Sequence, residues 1–163
     1  MSVTFRRAVR EDARTIAEFA HKLVEQHQQY NPKRFAEIAD KEQMTMFYGS
    51  QTQAKDAAVL VAEFEKRVVG FAYIKYEAKN YADLLVSAAW MHDLYVEETA
   101  RGQKAGKLLL EKAVEVAKQL GAEKLMLTAA FQNKRAREFF EHNGFRTTMV
   151  EMMFDLTEKE CND

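Results

Sequence analysis

The chain is short of the residues that build a disulfide frame, a metal clip or a linker. It holds one cysteine, Cys161, and one proline, Pro32, in 163 residues. A lone thiol closes no internal disulfide and has no partner at zinc-ligand spacing, so no metal site is expected. Eight methionines without a disulfide framework fit a reducing compartment, and the expected location is cytoplasmic. The first residues, from Met1 to Arg6, lack the apolar core of a signal peptide. No run of about 18 apolar residues is available to span a bilayer, so no membrane partner is expected. Neither charge is in excess: 24 Lys and Arg stand against 25 Asp and Glu, a net charge of -1. With no basic surplus to release counterions from phosphates, a nucleic-acid partner is not expected either.

What is present is an ordinary globular composition, 47% hydrophobic and 30% charged. The length suits one domain able to bury a core unaided. Residues 1–157 read as that domain, and 158–163 as a polar tail.

Periodicity divides the chain into elements. Val3 to Val9 begins as a short strand. A helix follows from Asp12, with Ile16, Phe19, Ala20, Leu23, Val24 and His27 on one face, and ends at Asn31-Pro32. Lys33 to Gln53 reads as a less regular helical region, interrupted near Gly49. Ala57–Phe64 and Val68–Tyr76 form an antiparallel hairpin about Glu65-Lys66-Arg67. A loop, Lys79–Ser87, leads to a strand, Ala89–Val96. Lys104–Leu120 is a strong amphipathic helix with Gly121 as its C′ residue. Leu125–Ala129 is a strand, Gln132–Asn143 a helix ended by Gly144, and Met149–Leu156 a final strand. The order predicts an α+β fold with a mixed sheet rather than regular alternation. No Gly-x-Gly-x-x-Gly follows the first strand, which argues against a dinucleotide site.

Two segments carry chemistry. In the first, His92 to Leu110, a strand turns through Gly102 and Gly106 into the long helix, with Arg101, Lys104 and Lys107 close by. The first turn of a helix leaves N–H groups unpaired at its positive end, so a pyrophosphate fits there. The same residues also describe a plain strand-to-helix turn with solvated lysines. The second segment runs from Asn133 to Phe145 and contains Asn133, Ala136, Phe139, Phe140, Gly144 and Phe145.

Together these segments resemble the GNAT family of N-acetyltransferases. Its first signature is Arg/Gln-x-x-Gly-x-Gly/Ala and its second Asn-x-x-Ala-x-x-Phe-Tyr-x-x-x-Gly-Phe. The likeness extends over essentially the whole chain. It implies the acyl-coenzyme A N-acyltransferase fold, a mostly antiparallel twisted sheet flanked by helices, and acetyl-CoA as cofactor. It further implies that the backbone of Leu94, Tyr95 and Val96 pairs with the pantetheine arm. The pyrophosphate would lie on Arg101, Gly102, Gln103, Lys104, Ala105, Gly106, Lys107 and Leu108. Asn133 would reach the coenzyme arm, Ala136 would let it pass, and Phe139 and Phe140 would flank it.

Two residues depart from the pattern. Lys104 stands at the first loop glycine, which is harmless if only an N–H is needed there and strained if φ must be positive; the harmless case is expected. Phe140 stands where many members have a tyrosine that reprotonates the thiolate, and a phenyl ring donates no proton. Tyr95 is the nearest phenol in sequence.

The amine acceptor arrives protonated and must lose a proton. His92 and Asp93 are the candidate bases, with only one of the pair expected to face the acceptor. The resemblance places His27, Tyr30 and Trp90 near the acceptor pocket, together with His21, and Glu151 on the last strand is a further candidate. It implies direct attack by a primary amine, of a small cationic metabolite or antibiotic-like molecule, in a ternary complex. Acetylation of a protein N-terminus or lysine, and a non-catalytic acyl-CoA sensor, remain the alternatives. A homodimer fits the family's habits.

Overall fold

Alternation of apolar residues along the central strands gives the sheet two dry faces, and each face collects its own helices. A computed structural model describes residues 2–35, 40–82, 84–102 and 104–157. The strands are β1 (Thr4–Arg7), β2 (Ala57–Phe64), β3 (Arg67–Glu77), β4 (Ala88–Val96) and β5 (Leu125–Met126). They lie in sequence order across one sheet, antiparallel from β1 to β4 and parallel between β4 and β5. The helices are α1 (Ala13–Tyr30), α2 (Lys41–Gln51), α3 (Glu98–Arg101), α4 (Ala105–Gln119) and α5 (Lys134–His142). The mixed, mostly antiparallel sheet flanked by helices is the α+β architecture expected.

On one face Leu60, Ala72, Ile74, Met91 and Val96 pack with Leu109, Leu110, Ala113 and Val116 of α4. On the other, Val59, Val61, Phe71 and Tyr73 pack with Ile16, Phe19 and Ala20 of α1 and Tyr48 of α2. Arg6 ties three elements together, reaching Asp12 Oδ2 and Glu63 Oε1 at 2.7 Å each. Its hydrogen bonds hold the Asp12 carboxyl below the usual carboxylate range.

Both predicted glycine stops are present. After α4, Gly121 (φ 84°) bonds Lys118 O at 3.0 Å and Ala122 bonds Ala117 O at 3.1 Å. After α5, Gly144 (φ 91°) bonds Glu141 O at 3.1 Å and Phe145 bonds Phe140 O at 3.0 Å. Both are Schellman motifs, and the Phe140–Phe145 ring contact at 5.6 Å supplies the apolar clasp of the second.

Several boundaries differ from expectation. The helical region after Pro32 becomes a turn followed by α2 from Lys41, with 36–39 outside the described residues. The strand expected at Leu125–Ala129 is only Leu125–Met126, and the loop at Lys79–Ser87 contains a bridge between Asn80 and Leu85. The final strand expected at Met149–Leu156 is not formed; the segment joins no ladder and lies exposed. Strand-like composition needs a ladder partner before it becomes a strand, and this chain gives it none among the described residues. Cys161 and the tail lie outside those residues. Among them, no helix is long and apolar enough to cross a membrane.

Candidate active site

Strand β4 carries the candidate bases, and its register against β3 slips in the middle. Tyr73 pairs with Asp93 and the next β3 residue, Ile74, with Met91, so His92 is the extra residue of a bulge. Strict alternation fails at that point, so His92 and Asp93 do not point to opposite faces as neighbours on a regular strand would. His92 stacks on Tyr73 at 5.5 Å, while Asp93 Oδ2 accepts a 2.8 Å hydrogen bond from the Tyr48 hydroxyl. Tyr48 and Tyr73 belong to the core face shared with α1 and α2, so both candidate bases lie on that face.

The two candidates differ in setting. His92 is exposed, and its Nε2 meets Glu77 Oε1 at 2.6 Å. Asp93 is partly buried, and burial pushes its carboxyl up, opposed by the hydrogen bond from Tyr48 and the nearby imidazoles of His92 and His27. Burial and the nearby Asp93 charge also push Tyr73 up to about 12. The Tyr73 hydroxyl donates to Gln51 Oε1 at 2.9 Å. Tyr48 was missed by the sequence reading because α2 has no clear apolar face to single it out. Asp93 therefore sits under a phenol, and beside it lies a histidine–glutamate pair.

Around this strip, His27 bonds Leu23 O through Nδ1 at 2.7 Å and packs edge-on to Phe35 at 4.9 Å and Tyr30 at 5.9 Å. Tyr30 accepts from Gln26 at 2.7 Å. His21 lies 3.7 Å from Glu25. Trp90 Nε1 is buried with no hydrogen-bond partner among the described residues. Glu151 is exposed on the C-terminal stretch and ion-paired with Arg34, so it does not stand on a strand of this sheet.

The opposite edge of β4 is open. Its parallel pairing with β5 covers only Ala89↔Leu125 and Trp90↔Met126. On the β3 side, Glu97 N bonds Val69 O at 2.8 Å. By alternation the N–H groups of Leu94 and Val96 then face the unpaired edge. Arg101 Nε caps the Val96 carbonyl at 3.0 Å, so its guanidinium braces the end of β4 and is also 3.4 Å from Glu98. Leu94 packs on the α4 side, whereas Tyr95 stacks on Phe19 at 4.9 Å on the other face.

Directly beyond this edge α4 begins. The first bond of its ladder runs from Leu108 N to Lys104 O at 3.1 Å, leaving the N–H groups of Ala105, Gly106 and Lys107 without a helical partner. Lys104 has φ 59°, so this position does require the left-handed region, and the harmless reading of its lysine is overturned. A Cβ on Gly102 would meet nothing within 4 Å, and one on Gly106 would touch Phe139 at 3.8 Å and Val96 at 4.0 Å. Lys107 lies 3.9 Å from Glu111, and Gln103 falls outside the described residues. Asn133 Oδ1 caps α5 by accepting from Ala136 N at 3.1 Å. Phe139 and Phe140 stand 5.3 Å apart against the α4 core.

The sequence pattern described as the acetyltransferase (GNAT) family matches residues 17–145. An uncharacterized N-acetyltransferase of Bacillus subtilis, YhfO, is 26% identical over 145 residues, 88% of this chain and 89% of that protein. The crystal structure of a mutant of the BH1408 protein from Bacillus halodurans superposes with a TM-score of 0.80 at 21% identity, covering 94% of this chain and 99% of that one. A probable acetyltransferase superposes at 0.71 with 19% identity, covering 96% and 99%.

Proposed function

We propose that this chain, which belongs to the acetyltransferase (GNAT) family, acetylates the primary amine of a small cationic molecule from acetyl-CoA. That it is an acetyl-transferring enzyme follows from the family; the acceptor and the roles below are our reading. The observation carrying it is the early end of the β4–β5 ladder after Trp90 and Met126. It leaves a strand edge and a helix start side by side, both with N–H groups that have no partner among the described residues.

Those groups suit acetyl-CoA. The N–H groups of Ala105, Gly106 and Lys107, with the positive end of α4, would hold the pyrophosphate. Lys104 and Lys107 add charge, and Gly102 leaves the approach clear. The Leu94 and Val96 edge would bind the pantetheine amides as an added strand, and Asn133 would contribute the amide of its capping side chain. Bound there, acetyl-CoA supplies an activated thioester.

The chain's own residues then act on the amine. An N–H of the Leu94–Val96 edge donates to the thioester oxygen as negative charge grows on it. Glu77 and Asp93 draw a cationic amine to the α1–α2 face of β4. Asp93, with its carboxyl pushed up by burial, takes the proton from the ammonium. His92, already engaged by Glu77, orients the amine. The free amine attacks directly in a ternary complex, and the thiolate takes its proton from solvent, because Phe140 has none to give.

The test is release of free thiol from acetyl-CoA across polyamines, aminoglycosides, amino acids and N-terminal peptides. Turnover with small cationic amines is expected. Turnover with peptides alone would replace the acceptor assignment. Tight coenzyme binding with no thiol release from any amine would show a sensor instead.

A further inference from the structure

Helix α1 ends in a turn whose side chains go two ways. Asn31 leaves the helical region, and Pro32 has no N–H to continue the ladder. The Asn31 side chain takes over: its Oδ1 accepts from the Lys33 and Arg34 N–H groups at 3.2 Å each. Its carbonyl accepts from Arg34 N and Phe35 N at 3.1 Å each. A turn closed by an asparagine in this way fixes the directions of the side chains that follow. Lys33 and Arg34 reach the C-terminal stretch. Lys33 Nζ meets Asp155 at 2.7 Å. Arg34 grips Glu151 with two prongs, Nη2 to Oε2 at 2.9 Å and Nε to Oε1. Such a fork matches both carboxylate oxygens and sets the direction of the pair. These bonds hold the carboxyls of Glu151 and Asp155 below the usual carboxylate range.

Phe35 goes the other way. The Arg34 guanidinium lies 5.3 Å from its ring, and the ring packs edge-on to His27 at 4.9 Å. One row of contacts therefore runs from Glu151 through Arg34 and Phe35 to His27. Tyr30 holds the imidazole as well, at 5.9 Å. Its Nδ1 lies 2.7 Å from Leu23 O, and a carbonyl only accepts, so Nδ1 carries the proton. The neutral ring then presents Nε2 as an acceptor, with no hydrogen-bond partner among the described residues. Helix α1 lies against β4, with Phe19 stacked on Tyr95 at 4.9 Å. Two turns further on, His27 is near enough to Asp93 to act on its charge. With Asp93 and Glu77, Nε2 is a third acceptor on the side where an ammonium, made only of donors, would lie.

We propose that Arg34 and Glu151 are positioning residues for the amine acceptor: their pair, acting through Phe35, holds the His27 imidazole so that Nε2 accepts a hydrogen bond from the ammonium. This rests on the reading of the α1–α2 face of β4 as the acceptor side. Neither residue lies near the start of α4, so the effect falls on acceptor binding and spares coenzyme binding. Both are exposed, and losing an exposed pair shifts an equilibrium by about two- to fivefold. The pair is also open to screening by salt.

The test is charge reversal and exchange, read in two ways. Without any amine, the His27 ring resonances are expected to shift in Arg34→Glu and to return when Glu151→Arg is added. With acetyl-CoA and spermidine or kanamycin, Arg34→Glu is expected to raise the KM of the amine at least about twofold. Thermal stabilisation by coenzyme A is expected to stay as in the wild type, and the exchange to restore KM. In a His27→Ala background Arg34→Glu is expected to add nothing, because the two substitutions break one row of contacts. Unmoved His27 resonances overturn the proposal. So does an unchanged KM, a KM that the exchange does not restore, a parallel loss of coenzyme A stabilisation, or an equal effect of Arg34→Glu without His27. If the wild type turns over neither amine, the proposal falls with the acceptor assignment. A His27 shift in that case places the failure in the acceptor, and unmoved resonances beside normal turnover place it in the Arg34–Glu151 pair.

Discussion

Burial and one hydroxyl, that of Tyr48, act in opposite senses on how readily the Asp93 carboxylate forms. Burial pushes that carboxyl up, and the bond from Tyr48 favours its charged form. If Asp93 is the proton acceptor, kcat/KM rises with pH along a limb above the ordinary carboxylate value of about 3.9. Tyr48→Phe removes a donor that stabilises the charge, so the limb moves to higher pH and kcat falls more than KM changes. Asp93→Asn lowers kcat by about 10²–10⁴-fold, the usual share of general base catalysis. Steady-state pH profiles check both. An unmoved limb in Tyr48→Phe would leave Tyr48 as core packing only, and an active Asp93→Asn would pass the role to His92.

Among the elements, the junction of β3, β4 and α4 is where small changes act on the cleft. A Cβ on Gly70 would lie 2.6 Å from the Tyr95 carbonyl oxygen and 3.2 Å from Val96 Cγ2. Gly70→Ala therefore pushes the end of β4 away and costs about 1–3 kcal/mol by overpacking, seen as a lower thermal midpoint and weaker coenzyme binding. Lys104→Gly works in the opposite sense on stability. It relieves a left-handed lysine worth about 1 kcal/mol, a rise of roughly 2–4 °C for a domain of this size. A fall in midpoint would show that the lysine side chain contributes more than its backbone costs. The elements themselves were largely legible, because Ile16, Phe19, Ala20 and Leu23 repeat on a helical period and Gly121 and Gly144 mark true stops. The bulge at His92 was not, since it is a property of pairing with β3 and leaves no mark on β4 alone. Nor was the fate of Met149–Leu156, whose alternation specifies a strand without naming its partner. The second motif was readable at Asn133 and Gly144 because each residue has a local backbone task, whereas Tyr48 acts only through a neighbour 45 residues away.

Taken whole, the molecule places its two chemistries on adjoining sides of β4, an edge and a face. The edge facing β5 and α4 offers N–H donors, and the α1–α2 face offers carboxylates and an imidazole. Coenzyme binding at the first is the premise of everything proposed for the second. Coenzyme A binding is best read as thermal stabilisation, compared between the wild type and Gly106→Glu, which puts bulk and negative charge at the start of α4. At one hundred times its dissociation constant a ligand stabilises by about 2.7 kcal/mol, roughly 5–10 °C for a chain of this length. The wild type is expected to show that rise, and Gly106→Glu to fold normally and show none. No shift of the wild type at millimolar coenzyme A, or an equal shift in the variant, would contradict the assignment of this site.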